Sequence, residues 1–131
     1  MKIDHVGIAV ESIEGSARFY RELGLAIGSV EEVAEQKVRA AVIPAGESRI
    51  ELLEPTDPEG PIGKFIAKKG PGIHHLAVEV TGIEEKLLSL EKMGFQLIDR
   101  VPRKGVHGSK IAFVHPKSAG GVLIELCERP K

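Results

Sequence analysis

Asparagine and tryptophan are absent from the 131 residues, tyrosine and cysteine occur once each, and phenylalanine four times. The lone Cys127 excludes an intrachain disulfide and points to a reducing compartment, with the cytoplasm as the expected location. Neither sign of charge is in excess: 18 Lys and Arg face 19 Asp and Glu, for a net charge of −1. That balance argues against a nucleic-acid partner, which calls for a basic surface. No apolar run approaches the ~18 residues of a membrane helix. The opening Met1-Lys2-Ile3-Asp4-His5 enters a strand-like pattern directly, without a signal-peptide core. What remains is enough apolar residue, 42%, to bury the core of about one domain. Among the acids, 16 are Glu and only three are Asp. A Glu-rich surface with few thermolabile side chains leans toward a thermophilic source.

The chain repeats itself. His5-Val6-Gly7-Ile8-Ala9-Val10 aligns with His75-Leu76-Ala77-Val78-Glu79-Val80 at an offset of 70, and the match runs on to Leu23-Gly24 against Met93-Gly94. Ile50-Glu51-Leu52 recurs as Ile124-Glu125-Leu126, at an offset of 74. The reading is two modules within a single domain: about 1–56, a Pro/Gly-rich linker 57–71 with a short amphipathic piece near Ile62–Lys68, and about 72–131.

Each module reads β-α-β-β-β. The spacing predicts strands at Ile3–Val10 and His74–Val80 and helices at Ile13–Leu23 and Ile83–Met93. Strand-like runs follow at Ala26–Val30, Val38–Ile43 and Arg49–Leu53, then at Gln96–Val101, Ser109–Val114 and Val122–Cys127. Thr81 with Glu84 has capping-box spacing, and Gly24 and Gly94 suit helix stops. The fold class expected is α+β: two tandem βαβββ modules whose helices cover one sheet face and leave the other as a half-barrel cleft.

Strand alternation then sorts the side chains. Val6, Ile8 and Val10 belong to the helix side, so His5 points the other way. The same parity puts His75, Glu51 and Glu125 on the cleft side. Gly7, Ala9 and Ala77 beside them are small and leave room for a ligand. Two imidazoles and two carboxylates, repeated in phase, suit a borderline divalent cation, whose charge offsets the cost of burying the carboxylates. His74 has the wrong parity and reads as structural or as a support behind the ligands. Cys127 shares the parity of Glu125 and reads as a buried thiol rather than a nucleophile.

These residues carry a resemblance. Asp4-His5-Val6-Gly7-Ile8-Ala9-Val10, Gly72-Ile73-His74-His75-Leu76-Ala77 and the two Ile-Glu-Leu segments resemble the vicinal oxygen chelate superfamily, the glyoxalase/bleomycin-resistance/extradiol dioxygenase fold. The run Gly105–Leu126, containing His115-Pro116-Lys117-Ser118-Ala119-Gly120-Gly121-Val122-Leu123-Ile124-Glu125-Leu126, is similar to the methylmalonyl-CoA epimerase family within it. The resemblance covers nearly the whole chain. It implies metal ligands at His5, Glu51, His75 and Glu125, with cobalt first and manganese, nickel or zinc also suited. It implies interconversion of (2R)- and (2S)-methylmalonyl-CoA through removal of the C2 proton and a metal-stabilised enolate; for the two faces the repeat supplies a symmetric pair of carboxylates, Glu51 and Glu125, which are the expected catalytic residues. Lys64, His115, Lys117 and Ser118 are the candidate contacts to the acyl-CoA, and relatives are commonly homodimers. The chain departs from the family at Ala40, where some members carry a Glu proposed as an acid/base. A glyoxalase I-type lyase would use the same ligands. A ring-cleaving dioxygenase is usually longer and richer in aromatics, and a drug-binding module of this fold generally lacks the ligands and lines its cleft with aromatics.

Overall fold

The computed structural model describes residues 1–131. The fold is α+β, with eight strands and three α-helices. It divides into two compact units: His5–His74, and Met1–Asp4 together with His75–Lys131.

In the His5–His74 unit the strand order is β2 (Val30–Val33), β3 (Val38–Ala45), β4 (Ser48–Pro55), β1 (Ile3–Ala9). β1 runs parallel to β4, and the other pairs are antiparallel. Helix α1 (Ile13–Glu22) lays Ile13 and Ala17 against Val10, Ala41, Ile43 and Leu52. Period-2 alternation in the strands meets period-3.6 alternation in the helix, which is how one sheet face becomes a core. The stretch 57–71, expected as a linker with a short amphipathic piece, contains a second helix, α2 (Pro61–Lys69). Pro61 starts it where the missing N–H costs nothing.

The other unit has strand order β5 (Gly72–Glu79, from His75 onward), β8 (Ile124–Glu128), β7 (Lys110–Val114), β6 (Arg103–Lys104). β5 and β8 are parallel, as β1 and β4 are. Helix α3 (Ile83–Lys92) places Ile83 and Leu87 on Ala112, Val114 and Leu126. Gly24 and Gly94 follow the two helices at φ 93° and 88°, the left-handed stop their positions suggested.

Three local expectations need correction. Residues 26–29 do not pair as a regular strand, and β2 begins at Val30. Gly28 donates to the Val42 carbonyl at 2.7 Å, so close that a Cβ there would stand 2.7 Å from the same oxygen. The run Gln96–Val101 keeps only a single bridge, Leu97 to Val114. Ile98 and Asp99 both donate to the Phe113 carbonyl, while the Asp99 carboxylate takes the Phe113 N–H at 2.9 Å. A side chain has displaced the backbone ladder. The capping box at Thr81 does not form either: the N-cap is Gly82, with no side-chain cap of its own.

The start of α3 is held instead by Glu128 from β8, which accepts from Gly82 N at 3.0 Å and Ile83 N at 3.1 Å. These two bonds hold its carboxyl below the ordinary carboxylate range. At α1, Glu54 of β4 accepts from Ile13 N at 2.8 Å. Glu54 and Glu128 occupy equivalent places in the repeat, three residues beyond Glu51 and Glu125. No helix is long and apolar enough to cross a membrane.

Candidate metal centre

Each unit contains a buried His–carboxylate pair at the same place in its fold. In the His5–His74 unit, Glu51 is registered against Gly7 on one side and Val42 on the other. Ile8, Ile50 and Leu52 point toward α1, so His5 and Glu51 occupy the opposite face. His5 Nδ1 stands 3.2 Å from Glu51 Oε2, and both residues are 3% exposed. Gly7, with no side chain on that face, leaves the space in which the two meet.

In the second unit Ala77 is registered against Glu125, which faces Phe113 on the next strand. His75 Nε2 lies 3.2 Å from Glu125 Oε1, again with both side chains buried. The pairs differ in one respect. His5 turns its Nδ1 to the carboxylate and His75 its Nε2.

The donor set fits a divalent ion. Bonds of ~2.0–2.2 Å place neighbouring donors about 3.0 Å apart at a right angle and about 3.4 Å apart at the tetrahedral angle. A separation of 3.2 Å falls between these values, so the nitrogen and oxygen of one pair can bind the same ion. Two buried carboxylates also bring the negative charge that such an ion neutralises.

His75 is braced by residues that the sequence reading missed. The Phe113 ring meets the His75 ring edge-on at 5.5 Å, and the Arg103 guanidinium lies over the Phe113 ring, 5.5 Å from its centre. Arg103 is in turn held by Asp99, with Nε–Oδ1 at 3.0 Å. Asp99, Arg103 and Phe113 thus form a chain of contacts behind the histidine. The repeat gives no hint of it, since none of the three has an equivalent of the same type in the first module.

The remaining expected residues lie as follows. Cys127 is 1% exposed, and burial, reinforced by Asp4 and Glu125, pushes its thiol up to about 12. It is a packed thiol, as its parity suggested. Ala40 is fully buried on β3, two residues from the Val42 that faces Glu51, and so adds no carboxylate there. His74 packs edge-on against Phe65 at 5.0 Å. Lys64 is exposed on α2 and Lys117 on a turn. His115 Nδ1 accepts from Lys117 N at 3.1 Å, and Ser118 Oγ accepts from Gln96 N at 2.8 Å, so both shape the turn that follows β7.

Residues 4–113 match the Glyoxalase/Bleomycin resistance protein/Dioxygenase superfamily, and the chain belongs to that superfamily. A Bacillus subtilis relative, uncharacterized protein YqjC, is 47% identical over 128 residues, 97% of this chain and 91% of its own length. The mitochondrial methylmalonyl-CoA epimerase of Mus musculus is 35% identical over 127 residues, 95% of this chain and 71% of that protein. A solved methylmalonyl-CoA epimerase in complex with methylmalonyl-CoA and NH4+ is 35% identical with a TM-score of 0.91, covering 98% of this chain and 94% of that one. Within the superfamily the chain falls with the methylmalonyl-CoA epimerases.

Proposed function

We propose that this chain is a metal-dependent epimerase that interconverts (2R)- and (2S)-methylmalonyl-CoA. The observation that carries the proposal is the His–Glu pair buried at the same point of both modules, 3.2 Å apart each time, in a chain that falls with epimerases. His5, Glu51, His75 and Glu125 are the proposed ligands of one divalent ion. Cobalt is the first choice, and manganese, nickel and zinc accept the same donors. A bound ion supplies Lewis acidity toward the oxygens beside C2, which makes the C2 proton removable.

The protein's own part is the handling of that proton. Epimerisation needs a proton taken from one face and returned to the other. Glu51 and Glu125, equivalent in the repeat, are the proposed pair of carboxylates for the two faces. Ala40 leaves no third carboxylate at its place on β3. Lys64, His115, Lys117 and Ser118 are the proposed contacts to the acyl-CoA, and the enzyme is proposed to work as a cytoplasmic homodimer.

The test is exchange at C2. Metal-stripped protein reloaded with Co2+ should place deuterium at C2 of methylmalonyl-CoA in D2O, followed by NMR, and the stripped protein should not. Glu51→Gln should separate exchange from turnover if two bases operate, whereas unchanged epimerisation in both Glu51→Gln and Glu125→Gln would defeat the two-base scheme. The second reading is a glyoxalase I-type lyase, because the ligand chemistry is shared. Turnover of the methylglyoxal–glutathione hemithioacetal, with no C2 exchange under any divalent metal, would select it.

A further inference from the structure

Asp4 is the most deeply buried acid in the chain, with no exposed surface. Its two oxygens accept from Arg129, Nε to Oδ1 at 2.9 Å and Nη2 to Oδ2 at 2.6 Å. Two parallel bonds from one guanidinium fix the plane of the carboxylate as well as its position. An apolar pair of similar volume would fill this place without the desolvation cost of two charges. The pair therefore calls for a reason other than stability.

Its location supplies one. Asp4 is the residue immediately before His5 in β1, and Arg129 follows the last residue of β8. That strand carries Glu125. The repeat supplies a control. The positions equivalent to Asp4 and Arg129 are His74 and Pro55, which cannot form an ion pair. The βαβββ arrangement is thus built once with this clamp and once without it, so the arrangement itself does not require it.

We propose that the Asp4–Arg129 pair is a positioning device for the metal ligands: it fixes the backbone from which His5 projects and the end of the strand that bears Glu125. The inference rests on the metal-site reading above. Neither Asp4 nor Arg129 is a ligand in it, and both act through their neighbours.

The test is Co2+ binding to the full chain, measured by titration calorimetry at 25 °C, beside thermal melting. The variants are Arg129→Lys, Arg129→Gln and Asp4→Asn. Arg129→Lys keeps the charge but loses the fork, and it is the mildest of the three. Partners that orient ligands typically contribute 10–100-fold to metal affinity, so each variant should bind Co2+ at least ~10-fold more weakly at a temperature where melting shows it fully folded. Lower melting temperatures with unchanged Co2+ affinity would reduce the pair to a structural role and overturn the inference. Full affinity in Arg129→Lys would overturn it as well, because the fork would then be dispensable. Failure of the unaltered protein to bind Co2+, Mn2+, Ni2+ or Zn2+ would overturn the metal-site reading itself, and that result is visible before any variant is made.

Discussion

Glu54 reaches across 41 residues of sequence to cap α1, and its removal should show what that reach contributes. In Glu54→Ala, Ile13 N loses its 2.8 Å bond, in a residue only 4% exposed. Loss of an N-terminal cap costs about 1 kcal/mol, and a buried donor left without a partner costs ~1–3 kcal/mol. Ser12 still caps Gly15 N at 3.1 Å, which keeps the total near the lower values. The ion pair with Arg39 at 3.0 Å is 44% exposed on the arginine side and adds at most ~0.5 kcal/mol. The sum is about 2 kcal/mol. An unfolding entropy of ~2.1 cal/mol/K per residue gives about 0.28 kcal/mol/K for a chain of this size, so Tm should fall by roughly 7 °C. Differential scanning calorimetry measures this directly. Glu54→Gln is the control, since its amide oxygen still accepts from Ile13 N and most of the loss should return. A Glu54→Ala protein that melts within a degree of the unaltered one would refute the cap. A Glu54→Gln protein as weak as Glu54→Ala would assign the effect to Arg39 instead.

Three further outcomes are expected. Glu128 has its folded pKa depressed below the ordinary 4.5 by the Gly82 and Ile83 N–H groups, so its stabilising contribution is present above pH 4.5 and fades as pH falls below it; urea melts of Glu128→Gln should show a shallower loss of stability below pH 4.5 than the unaltered protein. Gly28→Ala forces a methyl to within 2.7 Å of the Val42 carbonyl and should cost ~1–3 kcal/mol, read as a lower midpoint in chemical denaturation; an unchanged midpoint would mean that this segment yields freely. Cys127, buried and with its thiol at about 12, should resist iodoacetamide at pH 8 in the native protein and react in urea, as followed by mass spectrometry.

The parts of this fold that were legible in the sequence are those governed by short periods. Alternation in β1, β4, β5 and β8 put Ile8, Ile50, Leu52 and Leu126 on the helix side and left His5, Glu51, His75 and Glu125 together in parity. The repeat then marked those four out from 16 glutamates and five histidines. The parts that were not legible depend on residues far apart in the chain. Thr81 and Glu84 have the local spacing of a cap, yet a carboxylate 46 residues away from Gly82 holds α3. The Asp99 side chain took a backbone N–H and broke a strand that composition alone supports. The missed caps did leave a trace, because the in-phase match of Ile50-Glu51-Leu52 with Ile124-Glu125-Leu126 extends to Glu54 and Glu128. The same two segments therefore carry both a site carboxylate and a helix cap.

That coupling bears on how the protein is made. Each helix is synthesised some 40 residues before the glutamate that finishes its first turn. A nascent chain that ends ahead of residue 54 or residue 128 carries a helix with open N–H groups, and closure waits for the last strand of the module to emerge. The strand that seats the helix is also the strand that delivers Glu51 or Glu125. The helix cap and the proposed site carboxylate of a module thus arrive on one strand, and loss of residues 128–131 removes Glu128 and with it the two bonds at the start of a helix that begins at Ile83.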